Sequence, residues 1–504
     1  MKAFDLKRLQ SLVLLVFATS LAACSSSKNA SSTLVRLGGD DAGIVSNRPI
    51  NKKEFVAVIK LKAPALLSSA KKQDGKTIVD ADLAKQVDDE QTKAVADLKE
   101  MSSEIRILFR YRMVLNGLAI VAPMSLAEKI KANLHVAYVE KEGSFGRPVT
   151  MDVGPLAAAV ANNFEKNSVK FIGAEKTHGL KVRQADGSEV AVDGTGMKVG
   201  IIDTGIDYTH AMFGGVGTVD AYKAIEPSKA DSSFPTGKIA GGIDLAGTTY
   251  DSNSGDFKDH VPVPDDNPLD EGGHGTHVAG TVAGLGDGVE TYSGVAPGAL
   301  LYAIKVFGAE GSTGDAVVIA GLEFSADPNR DGDLSDQMDV INMSLGSSYG
   351  NPHVLYSEAI RNLVNGGTVV VASAGNSGNL DNIVGAPSIV DEAISVAASI
   401  DDGPHNWQFN AVEFVTPTLG SKLTEAVEGS ISKPVAEAGP VSGSLVEVGL
   451  ADQDFSPELV AQLKGQVALI DRGKVTFAEK AKRAFDAGAV GFVVVNNQDG
   501  GAFA

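Results

Sequence analysis

The chain has 504 residues, and its 63 Asp and Glu residues outnumber its 44 Lys and Arg residues, so its formal net charge is −19. A composition with 43% hydrophobic and 21% charged residues is typical of a folded globular protein. At roughly 150 residues per domain, the length predicts about three domains. The acidic charge argues against nucleic acid as a partner. The single cysteine excludes a disulfide framework and any multi-cysteine metal or iron–sulfur site.

Residues 1–24 have the pattern of an export signal. A basic start is followed by an apolar run at 12–18 that is too short to span a bilayer. Small residues then precede Cys24, which resembles a bacterial lipoprotein signal and implies that Cys24 carries a lipid. The alternative is an ordinary cleaved signal with a chance cysteine. In this class of signal, Ser25 implies sorting to the outer membrane, and the Ser-rich start of 25–53 predicts a flexible tether.

Residues 54–142 predict a small α+β unit. The predicted elements are a strand at 55–59, a helix at 82–102, a strand region at 111–122 interrupted by the turn Asn116-Gly117, a helix at 125–133 and a strand at 136–139. A strand–helix–strand–strand–helix–strand order indicates a ferredoxin-like layer.

Residues 168–400 alternate apolar strands with helices rich in Gly and Ala. The strands are predicted at 199–202, 300–304, 340–343, 368–371 and 393–396. Such strands indicate an α/β fold with a parallel sheet covered by helices on both faces. Functional side chains are then expected at the carboxyl ends of the strands. A further α/β unit at 430–504 is predicted to contain strands at 467–470 and 491–495 and a helix at 477–487.

His274 lies in the segment Gly272-Gly273-His274-Gly275-Thr276-His277, which is predicted to begin a helix packed closely against its neighbours. A histidine beside a carboxylate can act as a general base near neutral pH. One alternative is a structural histidine. Another is a metal site formed with His277, which needs a third ligand that no nearby motif supplies.

Asp203 directly follows an apolar strand and is therefore expected to face the cleft. Its Asp-Thr-Gly sequence also occurs in pepsin-like aspartic proteases, which need two such carboxylates. The chain has one Asp-Thr-Gly, so that alternative requires a dimer and leaves His274 unexplained. Asn376 follows the strand at 368–371, where its amide could donate to a developing oxyanion. Taken alone, Asn376 is better explained as an asparagine in a tight turn.

The three segments together, in the order Asp, His, Asn, resemble the subtilisin-like (S8) serine proteases, in which a serine follows. The resemblance covers about 168–400 and implies a subtilisin-like sheet, peptide or protein substrates and no cofactor for catalysis. It implies that Asp203 orients and stabilises His274, that His274 is the general base and then the general acid, and that Asn376 donates to the oxyanion. Ser344, Leu345 and Gly346 resemble the family's segment that binds the substrate backbone.

The flanking regions resemble parts of the same proteins. Residues 54–142, with the sequence 116–120, resemble an inhibitor-type (I9) propeptide, which implies a unit that assists folding and then blocks the cleft as an intramolecular inhibitor. Residues 430–504, with the sequences 468–473 and 487–489, resemble a partial protease-associated (PA) domain. Some S8 proteases carry this domain between the Asn and the nucleophilic Ser.

The family's Gly-Thr-Ser-Met-Ala segment is absent from these 504 residues. The simplest interpretation is a sequence truncated before its nucleophile, made as a lipid-anchored zymogen and inactive as given. Loss of the serine lowers the kcat of subtilisin by roughly 2 × 10⁶. A catalytically dead, lipid-anchored protein that binds peptides is an alternative. A structural surface lipoprotein is a third hypothesis, but it leaves the order of the three motifs to chance.

Asp327, Asn329, Asp331 and Asp333 place oxygen ligands at alternate positions, with a glycine at the sixth position, as in a calcium-binding loop. The twelfth position holds a methionine in place of the usual glutamate. The segment therefore predicts either a structural Ca²⁺ site or a solvated acidic loop.

Overall fold

The computed structural model describes residues 14–15, 54–73, 76–147, 164–184, 186–286, 293–378, 380–399, 410–416, 420–426 and 441–495. The chain divides into two compact units. The larger consists of 26–150 and 165–400, and the smaller of 1–25, 151–164 and 401–504. The predicted signal cleavage site at Cys24 and the tether lie outside the described residues.

The helices of the described residues, in chain order, are α1 (Ala81–Met101), α2 (Ala127–Lys131), α3 (Phe164–Phe171), α4 (Ala174–His178), α5 (Val219–Lys223), α6 (His274–Ala283), α7 (Asp315–Ala326), α8 (Leu355–Gly366), α9 (Pro457–Leu463) and α10 (Phe477–Asp486). The strands are β1 (Leu14–Leu15), β2 (Glu54–Leu61), β3 (Lys71–Gln73), β4 (Lys76–Ile78), β5 (Arg106–Tyr111), β6 (Gly117–Pro123), β7 (Val136–Lys141), β8 (Ser144–Phe145), β9 (Lys181–Arg183), β10 (Glu189–Ala191), β11 (Lys198–Asp203), β12 (Ile239–Asp244), β13 (Leu300–Lys305), β14 (Thr313–Gly314), β15 (Val340–Met343), β16 (Val369–Ser373), β17 (Ile394–Val396), β18 (Asn410–Thr416), β19 (Gly420–Ala426), β20 (Leu445–Glu447), β21 (Val467–Asp471) and β22 (Gly491–Val495). None of the helices in this part of the chain is long and apolar enough to cross a membrane.

The centre of the larger unit is a six-stranded sheet in the order β12-β13-β11-β15-β16-β17, with every neighbouring pair parallel. Its strands bury side chains on both faces. Val199 and Ile201 pack with Ala279 of α6, whereas Ile202 and Ile341 belong to the cluster that contains α7 and α8. This arrangement confirms the predicted parallel sheet, because helices lie on both faces and all the strand carboxyl ends meet at one edge.

Two parts of the larger unit differ from the sequence-based expectation. Strand β12 was not predicted, because its sequence Ile-Ala-Gly-Gly-Ile-Asp has few large apolar residues and it joins the sheet at its edge, beside β13. The prediction of a strand region at 111–122 is wrong for its first half, where the chain forms no strand after Tyr111 until Gly117. β5 ends at Tyr111, and 112–116 form a connection whose apolar side chains are buried in the cluster that contains α7 and α8.

The N-terminal part of the larger unit contains an antiparallel sheet in the order β5-β6-β2-β7, together with α1 and α2. Alternate residues of β2 point to opposite faces. Ala57 and Ile59 pack with α1 side chains, whereas Val56 and Val58 belong to the cluster of α7 and α8. Both faces of this small sheet are therefore buried, one of them against the helices of the parallel-sheet region.

The smaller unit contains a parallel run β20-β21-β22 and an antiparallel pair β18-β19 in one sheet, with β1 between β19 and β22. Helix α10 begins with a capping box in which Thr476 and Glu479 exchange hydrogen bonds. Ala468 and Ile470 of β21 pack with Ala484 of α10. This packing covers one face of the parallel strands.

Helix α6 can approach β11 only because residue 275 has no side chain. A Cβ atom at Gly275 would meet the carbonyl oxygen of Gly205 far inside van der Waals contact, whereas one at Gly280 would lie 3.7 Å from Met212. We expect Gly275→Ala to lower the free energy of unfolding by about 1–3 kcal/mol. The matched variant Gly280→Ala should be neutral or up to about 1 kcal/mol more stable. Urea unfolding measures both, and equal midpoints for the two variants would contradict this packing.

Candidate active site

Asp203 and His274 meet at the carboxyl edge of the parallel sheet. Asp203 is the last residue of β11, and His274 is the first residue of α6, preceded by Gly273 in the left-handed conformation with φ 84°. The Nδ1 atom of His274 lies 2.8 Å from Oδ1 of Asp203. The Asp203 side chain is fully buried, while the His274 side chain retains 20% of its accessible surface. The ring is therefore held by a buried carboxylate and still reachable from the cleft.

The Asp203 carboxylate is in an environment that disfavours its charge. Burial raises its pKa above the ordinary value, while the hydrogen bond with His274 and the N–H of Thr204 act in the opposite direction. Its Oδ2 atom has no hydrogen-bond partner among the described residues. The hydrogen bond with the imidazole is thus a main contribution to keeping this carboxylate ionised.

The other predicted site residues lie at the same edge. Ser344, Leu345 and Gly346 directly follow β15, and Asn376 follows β16, the next strand in the sheet. Leu345 is buried, whereas Asn376 is exposed. Because β11, β15 and β16 are adjacent and parallel, Asp203, Ser344 and Asn376 follow the same ends of neighbouring strands.

A segment of the chain itself lies in the groove beside these residues. Strand β8 pairs antiparallel with β14, and Gly146 forms an antiparallel bridge with Gly346. The next residue, Arg147, forms an ion pair of 3.0 Å with Glu310, and its guanidinium lies against Gly272, two residues before His274. Residues 144–147 therefore run as an extended strand between two backbone segments toward the start of α6.

The N-terminal sheet also contacts α7 through polar groups. The carboxylate of Glu323 accepts hydrogen bonds from the backbone N–H groups of Arg112, Met113 and Val114 at 2.6–3.1 Å. The hydroxyl of Tyr111 donates to the carbonyl of Ala316 at 2.7 Å. These bonds provide partners for backbone groups in the connection 112–116, which lies between two strands and lacks a ladder of its own.

The acidic loop at 327–333 does not form a preassembled cage for a cation. The two carboxylate oxygens of Asp327 accept from the N–H groups of Asp331 and Gly332, and Asn329 and Asp331 likewise accept from backbone N–H groups. Among the described residues, no group of three or more His, Cys, Asp or Glu side chains is placed to hold a metal ion. Calcium binding by this loop stays a prediction.

The sequence analysis did not identify the buried cluster of Lys305, Asp244 and Glu271. The ammonium group of Lys305, at the end of β13, lies 2.7 Å from carboxylate oxygens of both Asp244 and Glu271 and is fully buried. Burial lowers the pKa of Lys305, but the two carboxylates outweigh it and raise the pKa above the ordinary value. A lysine ending an apolar strand and an Asp-Glu pair before Gly-Gly-His are the sequence signals that could have indicated this cluster.

The tautomer of His274 tests the contact with Asp203. We expect the Nδ1–H form in the native chain, because an ionised carboxylate can only accept. In Asp203→Asn the amide can donate to the ring, and the proton should move to Nε2. Ring nitrogen chemical shifts of ¹⁵N-histidine-labelled protein report the tautomer. Asp207→Asn is the matched control, since that carboxylate accepts from Thr209. Unchanged shifts in Asp203→Asn would contradict the contact.

The chain is similar to a known protein family and to several known proteins. The subtilase family model (Peptidase S8) matches residues 194–483, more than half of the chain. The chain is 32% identical over 395 residues to minor extracellular protease Vpr of Bacillus subtilis (strain 168), which covers 77% of this chain and 41% of that protein. It is 31% identical over 352 residues to the PII-type proteinase of Lactococcus lactis subsp. cremoris, which covers 64% of this chain and 17% of that protein.

A shorter relative is covered more completely. The chain is 32% identical over 239 residues to subtilisin DY of Bacillus licheniformis, and this alignment covers 47% of the chain and 68% of that protein. The chain therefore spans less than half the length of the first two relatives and about two thirds of the third. On the match of the family model and on this similarity, the chain belongs to the subtilase family.

Proposed function

We propose that this chain is the N-terminal part of a subtilisin-like serine endopeptidase, a hydrolase that cleaves peptide bonds by acyl transfer through an Asp/His/Ser triad. The observation that carries the proposal is the 2.8 Å contact between Nδ1 of His274 and the buried carboxylate of Asp203 at the carboxyl edge of the sheet. Membership of the subtilase family and the names of the relatives support it.

Each of these residues has a part in the proposed reaction. Asp203 accepts a hydrogen bond from Nδ1–H, which leaves Nε2 of His274 unprotonated and able to take the proton of a serine hydroxyl as the oxygen attacks the peptide carbonyl. His274 then returns that proton to the leaving amine. The Asn376 amide donates to the oxyanion of the tetrahedral intermediate. A water molecule then attacks the acyl-enzyme, with His274 again taking and returning the proton, and the acyl-enzyme is hydrolysed. No cofactor takes part in the proposed reaction.

The serine of this triad is proposed to lie beyond Ala504. The 504 residues contain no Gly-Thr-Ser-Met-Ala segment, so this chain without the remainder is expected to be inactive. The region 430–504 is proposed to belong to a PA domain inserted before the serine. The parallel strands β20-β21-β22 with α10 on one face are compatible with that proposal.

The groove between 313–314 and Gly346 is proposed to bind the substrate backbone. Support comes from the antiparallel bridges that its two sides form with 144–146, an extended segment of this chain. Backbone hydrogen bonds of this kind are independent of the side chains of the peptide. Ser344 and Leu345 would then position the substrate backbone next to His274.

The N-terminal part of the larger unit, together with the segment up to Arg147, is proposed to be an I9-type propeptide that inhibits the enzyme before processing. One support is the strand 144–147 in the groove. Another is the set of three hydrogen bonds that Glu323 accepts from the N–H groups of 112–114. The sequence-based boundary at residue 142 would exclude this strand. We therefore extend the proposed propeptide to at least Arg147.

Export and anchoring are proposals from the sequence. One relative is named an extracellular protease, which supports export of this chain. Cys24 is proposed to carry the lipid that anchors the protein at the cell envelope, with sorting to the outer membrane, or with release after processing. A structural Ca²⁺ at Asp327, Asn329, Asp331 and Asp333 would require the loop to exchange its backbone hydrogen bonds for the ion.

A catalytically dead, lipid-anchored peptide-binding protein is the second candidate function. It is favoured by the lack of a Gly-Thr-Ser-Met-Ala segment in these residues. It requires a groove that binds peptides, which the present geometry also provides. The two functions differ in whether a reactive serine follows Ala504.

Activity of the full gene product distinguishes the two functions. We expect a fluorophosphonate probe to label it. We also expect His274→Ala to lower kcat by roughly 10⁶ and Asn376→Ala by about 10²–10³, magnitudes known for subtilisin itself. His277→Ala is the matched control, because this exposed histidine lies one turn further along α6. Saturable peptide binding without labelling or turnover would support the second function.

The contact between the N-terminal sheet and α7 and α8 should weaken as pH rises. Burial is the main cause that raises the pKa of Glu323 from 4.5 to about 6, of Asp315 from 3.8 to about 6 and of Glu140 from 4.5 to about 7. Each carboxylate accepts a backbone N–H across this contact. A group whose pKa is raised on folding stabilises the fold fully below its unfolded pKa, and this contribution is lost as pH rises through the raised pKa.

We therefore expect the wild type to lose stability relative to Glu323→Gln between pH 5 and pH 8, by about 1 kcal/mol. The whole shift corresponds to about 2 kcal/mol, but part of it is already lost at pH 5, which lies above the unfolded pKa of 4.5. Urea unfolding of the intact chain at the two pH values measures the difference. Gly280→Ala, which changes no titratable group, should differ from the wild type by the same amount at both. If the wild type gains stability relative to Glu323→Gln as pH rises, the carboxylate is favoured in its charged form and the expectation is wrong.

A further inference from the structure

Asp270, four residues before His274, has a carboxylate that is saturated with hydrogen bonds. The residue is 2% exposed. Its Oδ1 atom accepts from the hydroxyl of Thr204 and from the N–H groups of Gly272 and Gly273, each at 2.8 Å. Its Oδ2 atom accepts from the N–H and the hydroxyl of Thr276, at 2.9 and 2.6 Å. Five donors thus converge on one buried carboxylate.

Three of these donors come from Thr204, directly after Asp203, and from Thr276, in the helix that begins with His274. Thr204 follows Asp203 at the end of β11, and Thr276 lies in the first turn of α6. The Thr204 hydroxyl, besides donating to Asp270, accepts from the N–H of Gly275 at 2.9 Å. A set of hydrogen bonds therefore joins the end of β11 to the start of α6 around the Asp203–His274 contact. Thr204 donates to the Asp270 carboxylate, the carboxylate accepts from Thr276 of α6, and Gly275 of α6 donates back to Thr204.

The chemistry of the carboxylate is specific to this place. The first N–H groups of a helix have no partners within the helix, and Gly273 has no side chain that could cap α6. Asp270 accepts a hydrogen bond from one of these N–H groups, that of Thr276. It accepts two more from the N–H groups of Gly272 and Gly273 in the preceding turn. An ionised carboxylate only accepts, whereas an amide in its place would bring an N–H₂ group toward N–H or O–H donors. Asparagine is therefore not an equivalent replacement despite its similar size.

We propose that Asp270 is a positioning residue for the Asp203–His274 pair, which fixes the start of α6 against the end of β11 so that the imidazole keeps its Nδ1–H on the Asp203 carboxylate. Asp270 acts through Thr204 and the first turn of α6. The inference rests on the proposed function, because the pair matters for catalysis only in a protease. A displacement of about 1 Å at such a pair is enough to reduce catalysis strongly.

The neighbouring residue fixes the other side of the same segment. Glu271 is bound to the buried ammonium group of Lys305, at the end of β13 next to β11 in the sheet. Residues 270 and 271 therefore attach the segment before His274 to two adjacent strands. Asp270 is the one of the two that bonds to the residue directly after Asp203, so its loss should affect the histidine most directly.

The test measures the His274 tautomer and the stability of the same variants. The intact chain is labelled with ¹⁵N-histidine, and His274 is assigned by its absence in His274→Gln. The variants are Asp270→Asn, Thr204→Val and Thr204→Ser. Asp251→Asn is the matched control, because Asp251 accepts from the N–H and hydroxyl of Ser312 and from the N–H of Asn253, away from His274. Thermal unfolding midpoints are recorded for each.

We expect the Nδ1–H form of His274 in the wild type, in Asp251→Asn and in Thr204→Ser, which keeps the hydroxyl. Asp270→Asn and Thr204→Val should lose that form in favour of the Nε2–H form or a mixture, while Asp270→Asn and Asp251→Asn both lower the unfolding midpoint. Thr204→Val removes the hydroxyl that donates to Asp270, and Thr204→Ser keeps it. Comparison of these two variants tests the inference even if Asp270→Asn does not fold.

The result that would overturn the inference is a wild-type His274 spectrum in Thr204→Val, or in a folded but less stable Asp270→Asn. Asp270 would then stabilise the fold without positioning the histidine. A wild-type chain that itself lacks the Nδ1–H form would instead remove the Asp203 contact, and with it the proposed function. The two failures are therefore distinguishable.

Discussion

The hydrogen bond between His274 and the buried carboxylate of Asp203 sets the requirements for its surroundings. A charge with no access to water is costly unless it is paired, so helix and strand must meet closely enough for the imidazole to reach the carboxylate. That approach needs glycine at position 275, a turn at Gly205 with φ 110°, and partners for the N–H groups at the start of α6. The fold around this edge is thus built for one short contact between side chains 71 residues apart.

Much of this arrangement could be predicted from the sequence because its signals are local. Strands β11, β13 and β15 are short apolar runs bounded by polar residues, and Asp203 stands at the end of one of them. The repeated small residues after His274 indicate a closely packed helix. The order of the Asp, His and Asn segments along the chain then identified the family.

Other features could not be predicted, because they depend on contacts made only in the folded chain. Strand β12 exists through its pairing with β13, and its own sequence contains two adjacent glycines. The connection 112–116 is apolar enough to suggest a strand, yet three of its N–H groups donate to Glu323, over 200 residues away in the chain. Asp270 resembles any acidic residue before a glycine pair until its five donors are counted in the structure.

The strand 144–147 and the groove that holds it belong to one continuous chain. A peptide that entered this groove would have to compete with a segment of the same chain, which the covalent connection keeps at a high effective concentration. A single backbone cut after Arg147 would leave every one of these contacts in place. It would nevertheless convert the occupant into an ordinary ligand, which dilution alone could then remove from the groove.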